Sequence, residues 1–346
     1  MSNINSPRYQ RWYIQQQTAL TSFVVNSSGV WNTTGAQLLR VDAGSVSLTR
    51  NAPYSRFPVL TGSRSEVAGI RGRKIASWSI RGLPMIPSGS SAAPDMDIIL
   101  QNIFGGTNSA GTYGFTDSGY LPFSMFGLPA VTTLTGRAIW GCFVSRATFN
   151  FNGPFMTVDL DGFGGYDIDS SGFSVFDSQA KAGLTAFPTD PALTTVAGQP
   201  IQGFGTGYTA TIHSQTVQLS LRALSLTLET GFEPIADVYG SPYLVAVVGG
   251  ARRASINLGT VLDDDSAALT DLKTQSDTDT TGATATSAVV VAGTTTHNIF
   301  TFTLNGLQLN AWDQRDDGNT VSFSIPTSYG HATTFGGHDD FSLAFS

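Results

Sequence analysis

The side chains of this chain that could do chemistry are few and scattered. Four histidines stand at His213, His297, His331 and His338, and only the run HATTFGGHDD brings His331, His338, Asp339 and Asp340 together. Zinc sites use ligands at short fixed spacings, and this spacing matches none of them, so a polar turn before the last strand is expected. Asp263, Asp264 and Asp265 are consecutive; they lack the alternating ligands and the glycine of a calcium loop, and read as an acidic edge in water. GFGTG (Gly203–Gly207) and GFGGYD (Gly162–Asp167) carry spaced glycines. Neither continues as a G-x-G-x-x-G fingerprint opening a helix, and both read as turns. Asp159 and Asp161 sit two residues apart in a strand-like run, which puts both on its outer face, weak ground for carboxylate catalysis. No G-x-S-x-G elbow or Cys–His arrangement occurs. Asn26 and Asn32 begin glycosylation sequons, which matter only in a secretory pathway. Cys142, the single cysteine, lies in the apolar run AIWGCFV; it has no internal disulfide partner and reads as a small buried hydrophobe. The expectation is a protein that is not an enzyme and has no catalytic, cofactor or metal site.

Composition points the same way. Charged residues are 12% of the 346, about half the usual share, and Gly, Ser, Thr, Asn and Gln take their place. A surface so poor in charge suits one covered by neighbouring subunits. The net charge of −7 is uneven: residues 1–180 carry +2 and residues 181–346 carry −9. Within 40–81 stand eight basic residues, Arg40, Arg50, Arg56, Arg64, Arg71, Arg73, Lys74 and Arg81, against Asp42 and Glu66. An acidic chain does not grip duplex DNA through counterion release, so sequence-specific DNA binding is not expected. The N-terminal residues lack the apolar core of a signal peptide, and no stretch approaches the ~18 apolar residues of a membrane span. A soluble protein made in a cytoplasm is expected.

Period-two alternation, the mark of half-buried strands, dominates the chain. Val46 and Leu48 alternate with Ser45, Ser47 and Thr49. Lys74, Ala76, Trp78 and Ile80 share one face, as do Ala147, Phe149 and Phe151, and Met156, Val158 and Leu160. Val217, Leu219 and Leu221 form one row, and Leu224, Leu226 and Leu228 another. The slip near Arg222–Ala223 predicts a bulge. Ile299–Leu304, Gly306–Trp312, Val321–Ile325 and Phe341–Phe345 complete the strand-like runs. Two helices are expected. One begins at Pro94, with Asp95 and Asp97 in its first turn, buries Met96, Ile99, Leu100 and Ile103, and stops at Gly105–Gly106. The other, in DDSAALTDLKTQ (Asp264–Gln275), has Asp265 or Ser266 as cap and Ala268, Leu269 and Leu272 inward. Each helix follows a strand and a short loop, a weak internal repeat. The polar first residues, with scattered aromatics (Tyr9, Trp12, Tyr13, Phe23, Trp31), read as an arm outside the core. The organisation expected is an arm over 1–40, a β unit over 41–180, a linker over 181–200 and a second β unit over 201–346.

These motifs resemble a family. The segment VLTGSRSEVAGIRGRKIASWSIRGLPMIPSGSSAAPDMDIILQNIFG is similar to the first half of major tail tube proteins of long-tailed, siphovirus-like bacteriophages. YLPFSMFGLPAVTTLTGRAIWGCFVSRATFNFNGPFMTVDLDGFGGYDIDS resembles the next block, and GQPIQGFGTGYTATIHSQTVQLSLRALSLTLETGFEPIADVYG with ARRASINLGT resembles a second unit. QQQTALTS replaces the Glu-Thr-x-x-Gly start common in that family. The resemblance implies an all-β chain of two tandem β-sandwich or barrel domains, each with one short helix. It implies a structural virion protein: three subunits close a ring of quasi-sixfold symmetry, and rings stack into a tail tube that conducts the genome. It also implies tape-measure and tail-terminator proteins as partners, duplex DNA passing without sequence-specific contact, and a place in the virion tail after assembly in the host cytoplasm.

The segregated charge predicts Arg56, Arg64, Arg71 and Arg73 at contacts with acidic positions on a neighbouring subunit. The rival reading is another virion β-protein: a receptor- or carbohydrate-binding, capsid or decoration module. It expects exposed aromatics on loops, which Tyr113, Phe115, Tyr120 and Phe123 could supply.

Overall fold

The computed structural model describes residues 10–18, 20, 35–42, 44–51, 54–55, 70–71, 74–87, 94–106, 111–116, 119–129, 136–165, 168–169, 199–203, 208–213, 215–216, 221–236, 244–262, 266–278, 287–293, 299–316, 321–332 and 340–346. The protein is all-β, with two short helices among the described residues. In chain order the first elements are β1 (Gln10–Gln16), β2 (Gln37–Leu39), β3 (Val46–Asn51), β4 (Tyr54–Ser55), β5 (Ile70–Arg71), β6 (Ile75–Pro84) and α1 (Asp97–Phe104). Next come β7 (Thr112–Gly114), β8 (Phe123–Pro129), β9 (Arg137–Asn150), β10 (Thr157–Gly164) and β11 (Ile168–Asp169). Then follow β12 (Thr209–Ile212), β13 (Gln215–Thr216), β14 (Leu221–Glu229), β15 (Phe232–Ile235), β16 (Ala246–Gly249), β17 (Arg253–Leu262) and α2 (Ala267–Thr278). Last are β18 (Ala288–Ala292), β19 (Phe300–Leu304), β20 (Asp313–Asp316), β21 (Val321–Gly330) and β22 (Phe341–Phe345).

A 12-stranded antiparallel sheet runs β2-β1-β8-β9-β14-β17-β21-β20, with β10, β6, β3 and β11 branching from β9. A six-stranded sheet, β13-β12-β18-β19-β22-β7, faces it. The layers meet where Phe149 and Phe151 of β9 touch Phe300 of β19, ring centroids 6.1 and 5.9 Å apart. Strands from both sides of the expected 181–200 linker share each sheet: β9 pairs β14, and β7 pairs β22. One core cluster draws on both segments, from Trp78 and Phe149 to Phe302 and Leu343. Of the linker itself only Gln199 and Pro200 are described.

Alternation works as expected where one face meets the core. Ala147, Phe149 and Phe151 are buried, as are Met156, Val158 and Leu160, and Leu224, Leu226 and Leu228. The register shifts on both sides of Ala223, placing the expected bulge. Residues 217–220 of the preceding row lie outside the described set. The ten-residue strands β6 and β17 each precede a helix. In α1, Met96, Ile99, Leu100 and Ile103 are all buried. It starts at Asp97 rather than Pro94, because residues 94–95 tie the loop back: Pro94 bridges Pro87, and the Asp95 amide donates to the Ile86 carbonyl at 2.9 Å. Gly105, at φ 77°, ends the helix while its amide reaches the Gln101 carbonyl. In α2 the Leu269 amide donates to the Ser266 hydroxyl at 3.3 Å, the expected cap, with Leu269 and Leu272 buried.

Three expectations give way. Residues 10–16, read as part of an arm, form a core strand held between β2 and β8, with Trp12, Tyr13, Ile14 and Gln15 buried. Gly162 and Gly164, read in a turn, lie inside β10, because a Cβ on Gly162 would run into the Trp78 ring and the Phe143 carbonyl. Gly306–Trp312, read as a strand, makes a single bridge through Gln308 to Tyr329, while Leu307 and Leu309 are buried from a loop.

Candidate functional site

Of the arginines expected at subunit contacts, Arg56, Arg64 and Arg73 lie outside the described residues. Arg71 closes β5, where its backbone pairs with Tyr54 of β4. Two other basic residues of 40–81 meet acids of their own chain. Arg40 Nε donates to Asp95 Oδ2 at 2.6 Å, tying the end of β2 to the approach of α1. Arg81 grips both carboxylate oxygens of Asp161 across β6 and β10. Asp159, the other half of that acidic pair, accepts from the Gly82 amide at 2.7 Å and from Asn150 Nδ2 at 3.1 Å. These carboxylates brace the outer side of a sheet.

The most constrained polar site is in β9. Along one edge its first residues pair with β8, ending at Cys142, and Arg146–Asn150 pair with β14. At the register break between Ile139 and Cys142, and between these two stretches, the backbone has no ladder partner on that edge among the described residues, yet buried amide and carbonyl groups must be paired. Three side chains stand in for a strand. Gln17 Oε1 accepts from the Gly141 amide at 2.7 Å, and Asn102 Oδ1 accepts from the Val144 amide at 2.9 Å. The Thr230 hydroxyl donates to the Val144 carbonyl at 2.7 Å, and the Thr230 amide to the Ser145 carbonyl at 3.1 Å. Gln17, Asn102 and Thr230 are themselves buried, and Asn102 Nδ2 donates on to the Leu121 carbonyl at 2.8 Å. Gly141, at φ 61°, is required here, since a Cβ would stand 2.6 Å from the Leu20 carbonyl oxygen. The chain after β1, α1 and the end of β14 thus converge on one joint. A second polar chain fixes α1: Gln16 Nε2 donates to Gln101 Oε1, Gln101 Nε2 to Asp97 Oδ2, and the Tyr113 hydroxyl to Asp97 Oδ1.

These groups position backbone and do not make a reactive centre. Burial, reinforced by the Asp97 carboxylate beside it, pushes the Tyr113 phenol up. Burial also pushes the Cys142 thiol well up, against a weaker lowering from a backbone hydrogen bond at Met125. Among the described residues no three His, Cys, Asp or Glu side chains gather in a way that could hold a metal. Of the HATTFGGHDD cluster, His338 and Asp339 lie outside the described residues, and Asp340 is buried 3.5 Å from Arg252. Residues 263–265 also lie outside. Among the aromatics proposed as an exposed recognition cluster, Tyr113 is 3% exposed, Phe115 5% and Phe123 0%. They are core residues, and Tyr120 is half-buried with its ring 4.9 Å from Phe232.

The joint was not foreseen from the sequence. Its signals were an asparagine inside the apolar helix DIILQNIF and the QQQ run, each a polar interruption beside buried residues. No protein-family model matches the chain, and no curated protein sequence matches it.

Proposed function

We propose that this chain is a structural protein of a long-tailed bacteriophage, the subunit of its tail tube. Copies close into rings, by the family resemblance trimeric with quasi-sixfold symmetry, and the rings stack into a conduit for the genome. Tape-measure and tail-terminator proteins would meet this tube in the virion, and duplex DNA would pass along it without sequence-specific contact.

The observation that supports this reading best is the pair of sheets that end on open strands. Among the described residues β20 and β3 each have one neighbour in the large sheet, and β13 and β7 end the small one. Open edges invite pairing unless something covers them. In a chain with 12% charged residues, heterologous contact with further copies is the economical cover, and such contacts close into rings. The acidic balance suits a passage for a polyanion, which a basic wall would hold. The unassigned half of the charge asymmetry, with Arg56, Arg64, Arg71 and Arg73, belongs to the same reading as candidate subunit contacts.

Negative-stain electron microscopy of the purified chain tests the proposal. Rings or tubes are the expected result. Isolated particles under all conditions would favour another virion β-protein, and turnover of glycans or peptides would mean an enzyme.

A further inference from the structure

An asparagine followed by glycine can react with its own backbone, because a residue without a Cβ leaves its amide nitrogen open to approach from the preceding side chain. The chain has two such steps, Asn152–Gly153 and Asn305–Gly306, and the fold treats them oppositely. Asn305 is half-buried and its backbone is pinned at both groups. Its amide donates to the Asp340 carbonyl at 3.0 Å, and its carbonyl accepts from the His331 amide at 3.2 Å. Gly306 is buried at φ 55°, where a Cβ would stand 2.3 Å from the His331 carbonyl oxygen. A swing of this peptide would break the bond to His331. Asn152 is exposed, in the turn between β9 and β10. Within 4 Å a Cβ on Gly153 would meet only the Phe155 carbonyl oxygen, at 3.6 Å, and among the described residues no hydrogen bond holds the Gly153 amide. The side chain of Asn152, by contrast, is held. Its Oδ1 accepts from the Leu224 amide at 2.9 Å, beside the bond from the Phe151 amide to the Leu224 carbonyl at 3.2 Å.

We propose that Asn152 is a site of self-modification, which loses its side-chain amide and becomes aspartate or isoaspartate in the folded chain. The Gly153 nitrogen attacks Cγ of Asn152, so that an N–Cγ bond forms as the Cγ–Nδ2 bond breaks. Nδ2 leaves as ammonia, carrying the hydrogen lost from the Gly153 amide, and a cyclic succinimide remains. One water then opens the ring. Attack at Cγ gives aspartate; attack at the main-chain carbonyl gives isoaspartate, in which the backbone runs through the former side chain. Nothing is oxidised or reduced. Negative charge gathers on Oδ1 in the addition step, and the Leu224 amide already points at that oxygen, an arrangement that stabilises a developing oxyanion. The Asp161–Gly162 step could close the same ring, but Gly162 is buried within β10, paired with Trp78 and Val144, and Arg81 holds the Asp161 carboxylate. The position of Asn152 gives the change a structural consequence. Leu224 stands next to Ser225–Glu229, the residues of β14 that pair with β9 and join the two segments of the chain. Aspartate keeps an oxygen where the Leu224 amide needs one. Isoaspartate displaces it by a methylene and opens that end of the seam.

The test ages the full chain in warm, mildly alkaline buffer and maps its peptides by mass spectrometry. The expected result is the amide-to-acid mass gain on the peptide carrying Asn152, split into two species of equal mass. The isoaspartate species should accept a methyl group from S-adenosylmethionine under an isoaspartyl methyltransferase. Asn305 should gain about tenfold less in the folded chain and catch up in urea, where nothing pins it. Gly153→Ala fits its place with ordinary contact and should slow the gain at Asn152 about tenfold, a small rise in barrier. An unmodified Asn152, or a gain at Asn305 that matches it in the folded chain, overturns the proposal. So does a Gly153→Ala chain that reacts at the native rate, since ring closure would then not be the route. For the seam, the isoaspartate fraction should unfold at lower urea than fresh protein, while Asn152→Asp should stay close to it. An isoaspartate fraction with the midpoint of fresh protein would overturn the link between this modification and the seam.

Discussion

Asn102 uses both ends of its amide inside the core, accepting from Val144 and donating to Leu121. Asn102→Leu keeps the branched shape of the side chain, at a larger volume, and leaves the Val144 amide and the Leu121 carbonyl without this partner. Each such group costs about 1–3 kcal/mol, to be read as a lower urea midpoint at unchanged slope. Asp95 allows a pH argument. Burial raises its carboxyl above the ordinary value of 3.8, and the hydrogen bond and charge of Arg40 offset part of the rise. The folded chain then holds this proton more tightly than the unfolded one. The stabilisation from Asp95 is fullest below the ordinary carboxylate range and is lost as pH rises through the raised value. Asp95→Asn should flatten that part of the stability profile in thermal denaturation from acid to neutral pH. Cys142, buried and with its thiol pushed up, offers little thiolate, the reactive species. Iodoacetamide at neutral pH should leave it unmodified until the protein is denatured, as mass spectrometry would record.

Helix α1 is packed on nearly every side. Ile99 and Leu100 are fully buried, and Phe104 stacks on Phe341 of the facing sheet at 5.3 Å. Leu100→Ala should cost about 2–5 kcal/mol in chemical unfolding, the range for a large-to-small core change. This helix was legible because its apolar stripe repeats at helical spacing and glycines stop it. Strands β9, β14 and β19 were legible because one face meets the core and the other does not. Strand β1 was not, because three successive glutamines look like solvent-facing residues. The burial of Gln17 and the place of half-buried Gln16 are understandable only with the Gly141 amide and Gln101 in view, since those groups pair with them. Nor was the close approach of Trp78 to β10, which turns the Gly162 position from a bend into a strand. Of the proposed contact arginines, only the backbone place of Arg71 can be read. The sign asymmetry that singled them out is visible in sequence, but a side chain's partner depends on strands far away along the chain. Arg40 and Arg81 illustrate this by pairing with Asp95 and Asp161.

At the scale of the whole molecule, the charge asymmetry and the shared sheets carry different consequences. If 50–75 meets acidic surfaces on neighbouring copies, Arg71→Glu with Arg73→Glu should slow tube formation, followed by light scattering. The difference from the native chain should shrink as salt rises and screens the contact. Shared sheets concern the single chain. Because β14 completes an edge of β9, and β7 completes an edge of β22, each segment supplies a strand that the other lacks. A polypeptide ending at residue 180 and another starting at 199, produced separately, should each remain insoluble or only partly ordered. Mixed while refolding, they should recover one stoichiometric, soluble species, the covalent link being dispensable once the ladders have formed.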